Sequence, residues 1–573
     1  MTAAMELPEL LANLQFPDIE PSSVHASALL HAAINLLPRL QYASEIASVA
    51  RMIVLSPAIW LVDLGAQDDS SIRTGLLVLD TFRTVVSARL KIQALTPNYR
   101  SADDDLRLFC LALTQGIQSC DKAYTGKLCA LAGILAAVPN SGFQAVQRAY
   151  VATLNDLAAE NIVLPDLSLS ISATIGYGYI PPNLRRNIRP SQTLVSSLLV
   201  VLFAQNRGPQ LSKYAGHISR FVGQLFQILA STNDVATCAA PLDIILTASN
   251  HFRAQSDAKE VLFAVVAVLT GVVDGIQRRS TRSWPLFGSR SDAVTLNCAT
   301  TILLTLRNLA TATYTISLAG FEAESYLLSA TIGILVSSRC PDLNRAIDIL
   351  HSTITEQEKL FFLNTTEKIF LSVSASPVLS PDLLSRLLHN VKCEIANAPL
   401  RLATGASQIS QAVYEASHAV FLASLQIPAL ALQNVGYIQE DYLLRVVALF
   451  KSKSIIEKQF DAAIHCLAVS VAPGSGVLYS AAPHFASNHL LPVLQSLNRE
   501  LRNPAMTRLF VDALLTCVSV DEIGFWLDDV QAFSGVVAEK VKSGDVPAVC
   551  ADGVIQWWFD PSSRQRRNSE SRL

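Results

Sequence analysis

The fold class is decided by one stretch, Ile72-Arg-Thr-Gly-Leu-Leu-Val-Leu-Asp-Thr-Phe-Arg-Thr-Val-Val-Ser-Ala-Arg-Leu-Lys-Ile92. Its apolar residues recur at steps of three and four, and polar residues recur on the opposite side. The apolar series is Ile72, Leu76, Leu79, Phe82, Val86 and Leu90, and the polar series is Arg73, Asp80, Thr84, Ser87 and Lys91. This period is typical of an amphipathic α-helix with one apolar stripe. Leu77, Val78 and Val85 widen the stripe, which indicates a helix packed between neighbours.

The same period recurs along most of the chain. After Pro504 it predicts that one set of side chains points inward and another outward. The inward set is Met506, Leu509, Phe510, Ala513, Leu514 and Cys517, and the outward set is Arg508, Asp512 and Thr516. The nearest approach to strand alternation, Leu167–Ile171, is short. About twenty helices separated by prolines and short turns predict an all-α fold, an α-solenoid of irregular HEAT/armadillo-like helical hairpins. A compact two-lobed helical bundle is the alternative.

The domain organisation is predicted from the loops. A basic and aromatic loop at residues 281–292 lies near the midpoint of the 573-residue chain. We use it as the boundary between an N-terminal helical-repeat half, 1–280, and a C-terminal half, 293–560. Residues 561–573 follow as a disordered tail, because no apolar residue lies between Pro561 and Leu573.

The amino-acid composition limits the kinds of partner that the protein is expected to bind. Half the residues are hydrophobic and 16% are charged, against a usual charged share of about 25%. Much surface is therefore buried between helices, or meets a partner or a membrane. Lys and Arg number 44 and Asp and Glu 47, a balance that argues against a general nucleic-acid-binding protein.

The sequence shows no motif for catalysis, a cofactor or a metal ion. The ten cysteines form no Cys-x-x-Cys pair and read as small apolar residues of helices. Gly474-Ser475-Gly476 lacks the spacing of a phosphate loop and predicts a turn. His484 and His489 have no ligand partners at metal-site spacing. We therefore predict no catalytic, cofactor-binding or metal-binding residue and no enzymatic activity, although a triad assembled in space stays open.

No targeting leader or membrane span is expected from the sequence. Met1–Pro17 carries Glu6 and Glu9 and no basic residue, unlike a signal peptide or presequence. The apolar runs Val261–Val273 and Tyr326–Val336 are shorter than the ~20 residues that a spanning helix needs. Peripheral attachment to a membrane remains open.

Two basic loops are candidate docking sites. The first runs from Arg278 to Asp292 and sets aromatic and apolar residues among arginines. Its predicted docking residues are Arg278, Arg279, Arg282, Trp284 and Arg290. The second, Gly176–Pro190, carries Arg185, Arg186 and Arg189. Such mixtures fit an acidic partner or an anionic lipid surface; a solvated loop without function is the alternative.

The last three residues, Ser571-Arg572-Leu573, match the small–basic–leucine pattern of the type 1 peroxisomal targeting signal. A receptor for this signal captures the free carboxylate together with the side chains. The polar run before it keeps the tripeptide within reach of such a receptor. We predict that these three residues bind the peroxisomal import receptor.

With this tail and its helical pattern, the chain resembles the fungal peroxin eight family, the intraperoxisomal organisers of matrix protein import. Ser56-Pro57-Ala58-Ile59-Trp60 is similar to an early segment of that family, and Trp557-Trp558 to a segment near its end. Arg572 stands where lysine is commoner in the family. The resemblance implies a non-enzymatic protein on the matrix side of the peroxisomal membrane. It also implies binding to the cycling import receptor, and bridging of the docking and RING-finger subcomplexes. The rival interpretations are a peroxisomal matrix enzyme with the same signal, and a cytosolic helical-repeat scaffold with an accidental tripeptide.

Overall fold

The computed structural model describes most of the chain, in segments separated by gaps. The described segments are 5–15, 23–60, 69–94, 99–138, 143–160, 167–204, 209–232, 235–253, 258–282, 289–318, 320–337, 355–373, 381–403, 407–474, 476–501 and 503–518, with Trp526, Val536 and Ser543. Within these segments the regular structure is helical and no strand occurs, so the predicted all-α fold is confirmed. The chain divides into two compact units, Met1–Cys340 and Pro341–Leu573.

The first unit is a succession of helices joined by short turns. They are α1 (Leu7–Gln15), α2 (Ser23–Leu36), α3 (Ala43–Leu55), α4 (Pro57–Trp60), α5 (Asp69–Ala94), α6 (Tyr99–Gln118), α7 (Tyr124–Ala137), α8 (Gln144–Ala159), α9 (Leu167–Gly178), α10 (Pro182–Arg185), α11 (Gln192–Leu202), α12 (Pro209–Thr232), α13 (Ala239–His251), α14 (Lys259–Arg282), α15 (Ser289–Asn308), α16 (Ala310–Ile316) and α17 (Glu322–Ser337). Short 3-10 turns cover Leu37–Arg39 and Val235–Cys238. The stretch closest to strand alternation, Leu167–Ile171, begins α9 and is helical.

These helices stack in two rows. One row runs α2, α5, α7, α9, α12, α14 and α17, each helix packed on the next. The other runs α3, α6, α8, α11, α13 and α15, and its last helix also packs on α17. Helices adjacent in sequence alternate between the rows and close the core between them. Stacked helical pairs of this kind are the packing of an α-solenoid, as predicted.

The closest packing in the first unit joins α12 to α14. A Cβ atom added to Gly271 of α14 would collide with the carbonyl oxygen of Gly223 in α12. One turn further, a Cβ on Gly275 would lie 2.7 Å from the Gln227 oxygen and 2.6 Å from the Ala230 Cβ. Glycine is required at these positions because the two backbones touch where any other residue would place a side chain. The long apolar faces of both helices are thereby brought into full contact.

The deciding stretch forms the core of α5, and its stripe is largely confirmed. Leu79, Phe82 and Val86 are buried, and Val78 and Val85 are fully buried beside them. Two predictions fail: Leu90 is 37% exposed, although its spacing places it on the stripe, and Leu77, which is predicted to widen the stripe, is 39% exposed. In the last turns, the buried face of α5 carries polar side chains instead of leucine.

Arg89 makes most of the polar contacts described on this face of α5. Its guanidinium makes a two-pronged ion pair with Asp105 of α6, with Nη2–Oδ1 at 2.8 Å and Nε–Oδ2 at 3.0 Å. Its Nη1 donates to the carbonyl oxygens of Pro38 (2.8 Å) and Leu40 (3.1 Å). The same group lies 5.2 Å from the ring centre of Phe109. One side chain thus ties α5 to α6 and to the turn before α3.

We expect Arg89→Lys to lower the free energy of unfolding by about 1–2 kcal/mol, because an ammonium group cannot serve a carboxylate and two carbonyls in this planar geometry. Urea denaturation followed by far-UV circular dichroism measures it. The matched control is Arg83→Lys on the same helix, whose pair with Asp80 is exposed on both sides; its effect should stay below about 0.5 kcal/mol. Equal effects at both positions would contradict the bridging role of Arg89.

The second unit is also helical. It contains α18 (Glu356–Val373), α19 (Pro381–Ala403), α20 (Gln408–Ser424), α21 (Pro428–Gln433), α22 (Val435–Tyr437), α23 (Leu443–Lys451), α24 (Glu457–Ser470), α25 (Leu491–Leu501) and α26 (Pro504–Cys517). π-Helical turns cover Ile438–Tyr442 and Ala486–Leu490. Helix α20 packs against α18, α19 and α24, and α26 packs against α24 and α25. The predicted inward residues of α26 are all buried, from Met506 to Cys517.

The boundary between the units lies at Cys340–Pro341. The loop expected at 281–292 lies inside the first unit, where α14 continues to Arg282 and α15 begins at Ser289. Residues 283–288, between these two helices, lie outside the described residues. The expected tail, 561–573, lies outside the described residues.

Candidate functional site

The predicted docking residues fall only partly within the described structure. Arg278 is exposed and Arg279 is half-buried on the last turns of α14. Positive charge at this end of a helix is favoured by the helix dipole. The side chains of Arg282, Trp284 and Arg290, and the whole tripeptide Ser571-Arg572-Leu573, lie outside the described residues. The structure therefore places two of the five docking residues, and they lie next to each other.

An acidic residue one turn before Arg278 connects α14 to two other helices. Asp274 accepts a hydrogen bond from Gln227 of α12 (3.2 Å) and one from the Tyr326 hydroxyl of α17 (2.9 Å). The bond to Asp274, and then burial, raise the pKa of Tyr326. Asp274 thus joins three helices of one row just before the basic end of α14.

The second basic loop, Gly176–Pro190, makes several contacts with the rest of the first unit. The Arg185 guanidinium stacks 4.6 Å from the ring centre of Tyr177, and its Nε donates to the carbonyl oxygen of Ile180 at 2.7 Å. Asn155 of α8 accepts from the backbone amide of Arg189 at 2.8 Å. Arg185 is therefore a packing residue, whereas Arg186 and Arg189 are exposed.

Of the two internal segments on which the family resemblance depends, the structure describes one, Ser56–Trp60. Ser56 donates to the carbonyl oxygen of Leu14 (2.8 Å), and the Trp60 indole donates to that of Ile53 (2.9 Å). These bonds fix the short helix α4 against α1 and α3. The Trp557-Trp558 pair lies outside the described residues.

An apolar groove opens between α11 and α13 in the first unit. Its volume is about 440 Å³, and Val200, Phe203, Ile244 and Phe252 contribute its apolar walls. Asp243 also lines it. Val200 is 50% exposed at its edge. Such a groove suits the apolar side chains of an amphipathic partner segment.

In the second unit, a smaller cavity of about 160 Å³ lies between α20, α23 and α24. Its walls include Tyr414, His418 and Leu422 of α20, Val446 of α23, and Gln459 and Ala463 of α24. Tyr414 is 4% exposed, and its ring meets His418 edge-on with centroids 4.5 Å apart. The cavity is thus apolar apart from a few polar groups that converge on it.

Two buried polar atoms at this cavity have no hydrogen-bond partner among the described protein atoms. They are the Tyr414 hydroxyl and the Nε2 atom of His418. The other ring nitrogen of His418 lies 3.1 Å from the Tyr442 hydroxyl. Tyr442 does not line the cavity, so we infer that the Nε2 edge of the imidazole is the one turned towards it. Unpaired buried polar groups are costly, and each one requires an explanation.

Burial keeps these groups uncharged. It lowers the pKa of His418 to about 4, and it raises the pKa of Tyr414 well above its usual range. Tyr437, beyond Tyr442, also has a raised pKa, about 12, chiefly because of burial. At neutral pH the cavity therefore presents a neutral imidazole and a neutral phenol.

Sequence reasoning missed this site. Tyr414 and His418 are four residues apart on one helix face, which is a detectable signal. Tyr442 is the last residue of a π-helical turn, Ile438–Tyr442, and its hydroxyl lies 3.1 Å from Nδ1 of His418 on α20. No spacing rule predicts that meeting.

Several other groups that the sequence analysis singled out lie within the described residues. Among the cysteines that the structure describes, six are buried: Cys110, Cys120, Cys129, Cys238, Cys298 and Cys517. Burial raises the pKa of Cys110 to about 12, so its thiol is unreactive. Gly474 adopts a left-handed turn with φ of 74°. Within the described part of the chain, no three His, Cys, Asp or Glu side chains form a cluster able to hold a metal ion.

By length and composition alone, two stretches could cross a membrane, Ala43–Trp60 and Lys259–Arg279. The second has a mean hydropathy of 1.8 and contains the run Val261–Val273, so the length argument against a span does not hold for α14. It is 67% buried within the fold. A helix apolar on most sides and covered by its neighbours is also typical of a buried core helix.

In comparisons with known proteins, no family model and no curated protein matches the chain.

Proposed function

We propose that the chain is a non-enzymatic peroxisome biogenesis factor that acts on the matrix side of the peroxisomal membrane. It binds the cycling import receptor and bridges the docking and RING-finger subcomplexes of matrix protein import. The observation that carries this proposal is the tripeptide Ser571-Arg572-Leu573 on a chain built as a helical scaffold. The role in bridging comes from the family resemblance.

The scaffold supports this work because a solenoid offers a long surface to several partners at once. In the first unit, two rows of helices leave the apolar groove between α11 and α13 open. The basic end of α14, at Arg278 and Arg279, adds charge of the sign that anionic surfaces attract. Peripheral membrane contact is part of the proposal.

The tail provides the first test. For a peptide spanning Arg564–Leu573, we expect deletion of Leu573 to weaken binding to the import receptor at least tenfold, about 1.4 kcal/mol. The deletion removes the apolar anchor and displaces the carboxylate. Arg572→Glu should have the same effect by reversing the charge. Fluorescence anisotropy measures both. Arg564→Glu is the control, since it reverses the same charge outside the tripeptide and should leave affinity within about twofold.

The full-length protein separates an organiser from cargo. Because a folded surface and a tail reinforce each other through effective concentration, the chain without Leu573 should keep measurable receptor binding. An ordinary cargo enzyme would lose nearly all of it. Absence of residual binding removes the distinction from cargo, and failure of the wild-type peptide to bind overturns the targeting assignment.

Partner capture separates the three interpretations further. A tagged chain recovered from purified peroxisomes should bring docking and RING-finger components with it. A matrix enzyme would be recovered without them, and a cytosolic scaffold would be absent from the peroxisomal fraction. Either result would count against the proposed role.

A further inference from the structure

We propose that the cavity between α20, α23 and α24 binds a small uncharged apolar molecule that carries one hydroxyl group, of the size of a phenol. Ligand binding at this cavity does not depend on the proposed function. The volume of the cavity, the two unpaired polar atoms on its wall and the charges around it support it.

The volume sets the size of the ligand. The cavity measures about 160 Å³. An engineered cavity of about 150 Å³ in another protein binds benzene. A single six-membered ring with one substituent therefore matches the space between Leu422, Val446 and Ala463.

The polar atoms set its chemistry. The Tyr414 hydroxyl and His418 Nε2 are buried and lack partners among the described protein atoms. The bond between His418 Nδ1 and the Tyr442 hydroxyl allows either tautomer, so Nε2 is a donor in one and an acceptor in the other. A ligand hydroxyl both donates and accepts, and it can therefore pair with Nε2 in either tautomer while meeting Tyr414 as well.

The surrounding charges exclude an anion. Glu415 lines the cavity with its exposed carboxylate, which repels a negative ligand. The guanidinium of Arg445, whose charge acts on Tyr414, is paired with Asp441 at 2.7 Å. A carboxylate placed beside Tyr414 and His418 would be desolvated without a cation to balance it.

The test uses the full-length protein and three probes of similar size: phenol, toluene and benzoate. Binding is measured by saturation-transfer NMR and by titration calorimetry. We expect phenol to bind at least tenfold more tightly than toluene, because toluene leaves both polar atoms unpaired. Benzoate should not bind. Equal affinity for phenol and toluene, or tighter binding of benzoate, overturns the proposal.

Two variants locate the site. Tyr414→Phe conserves volume and should weaken phenol binding about tenfold (1.4 kcal/mol) with toluene unchanged. Ala463→Leu fills the cavity and should abolish binding of both. The control is Tyr479→Phe in the same unit, outside this cavity; phenol affinity should not change. Far-UV circular dichroism checks that each variant folds.

The outcomes are distinguishable even if one variant is lost. If Tyr414→Phe fails to fold, the relative affinities of the three probes and the effect of Ala463→Leu still test the proposal. Phenol binding that survives Ala463→Leu places the ligand elsewhere and overturns the proposal. Absence of binding by every probe means that the cavity holds water only, and it overturns the proposal too.

Discussion

Replacing Gly271 by alanine is expected to lower the free energy of unfolding by about 3 kcal/mol, although alanine is the better helix former. The added Cβ would collide with the backbone carbonyl of Gly223 in the facing helix α12. A backbone atom cannot swing aside as a flexible side chain can, so α12 and α14 must move apart. Separation would weaken the contacts of Gly275 as well and open gaps along the buried faces of α12 and α14. Urea denaturation followed by far-UV circular dichroism measures the loss.

Gly216 supplies the matched control for this prediction. It lies on α12, and a Cβ added there meets no atom within 4 Å. Gly216→Ala is therefore expected to stabilise the protein by about 0.5–1 kcal/mol through helix propensity alone. The same added methyl group should therefore lower the free energy of unfolding at Gly271 and raise it at Gly216. If Gly271→Ala is as stable as the wild type while Gly216→Ala is stabilised, the backbone contact between α12 and α14 does not exist.

Hydrophobic periodicity predicted the fold because it reports which face of a helix is buried. It placed Phe82 and Val86 of α5, and Leu514 of α26, correctly in the core. It failed at Leu77 and Leu90, which are both exposed. Near the end of α5 the half-buried Arg89 makes a set of bonds that no apolar pattern encodes. The stacking of helices in two rows followed from the hairpin interpretation. The point of closest contact, Gly271 against Gly223, depends on the relative positions of two helices and was not readable from either alone.

The candidate sites were less accessible to sequence reasoning. Arg185 lies in the second basic loop, a candidate docking site, and the structure shows its guanidinium stacked on Tyr177. A run of arginines has the same appearance in sequence whether each guanidinium meets solvent, an aromatic ring or a carbonyl. The cavity beside His418 was invisible for a different reason. Its walls come from three helices, and its polar character depends on which ring edge Tyr442 covers.

Acidification provides the second large effect, through His418. Burial lowers the pKa of His418 in the folded protein to about 4, while an unfolded histidine titrates near 6.5. Between these values the unfolded chain binds the proton and the folded chain does not, so stability falls as the pH falls. This group alone should remove about 2 kcal/mol of the free energy of unfolding between pH 7 and pH 5. The titratable groups facing it are the neutral hydroxyls of Tyr414 and Tyr442 and the carboxylate of Glu415 at the cavity.

The variant that isolates this effect is His418→Asn, which keeps a polar atom near the Tyr442 hydroxyl and cannot titrate. Its unfolding free energy, measured by urea denaturation at pH 7 and at pH 5, should fall by about 2 kcal/mol less than that of the wild type over this interval. His465→Asn on α24 is the control, since that side chain is exposed, and the pH dependence should match the wild type. If His418→Asn retains the full pH dependence, the imidazole is solvated or paired when protonated. The view that the cavity holds a neutral imidazole would then have to be abandoned, because an imidazolium at Nε2 requires water or an anion as its partner, and Nε2 has no partner among the described protein atoms.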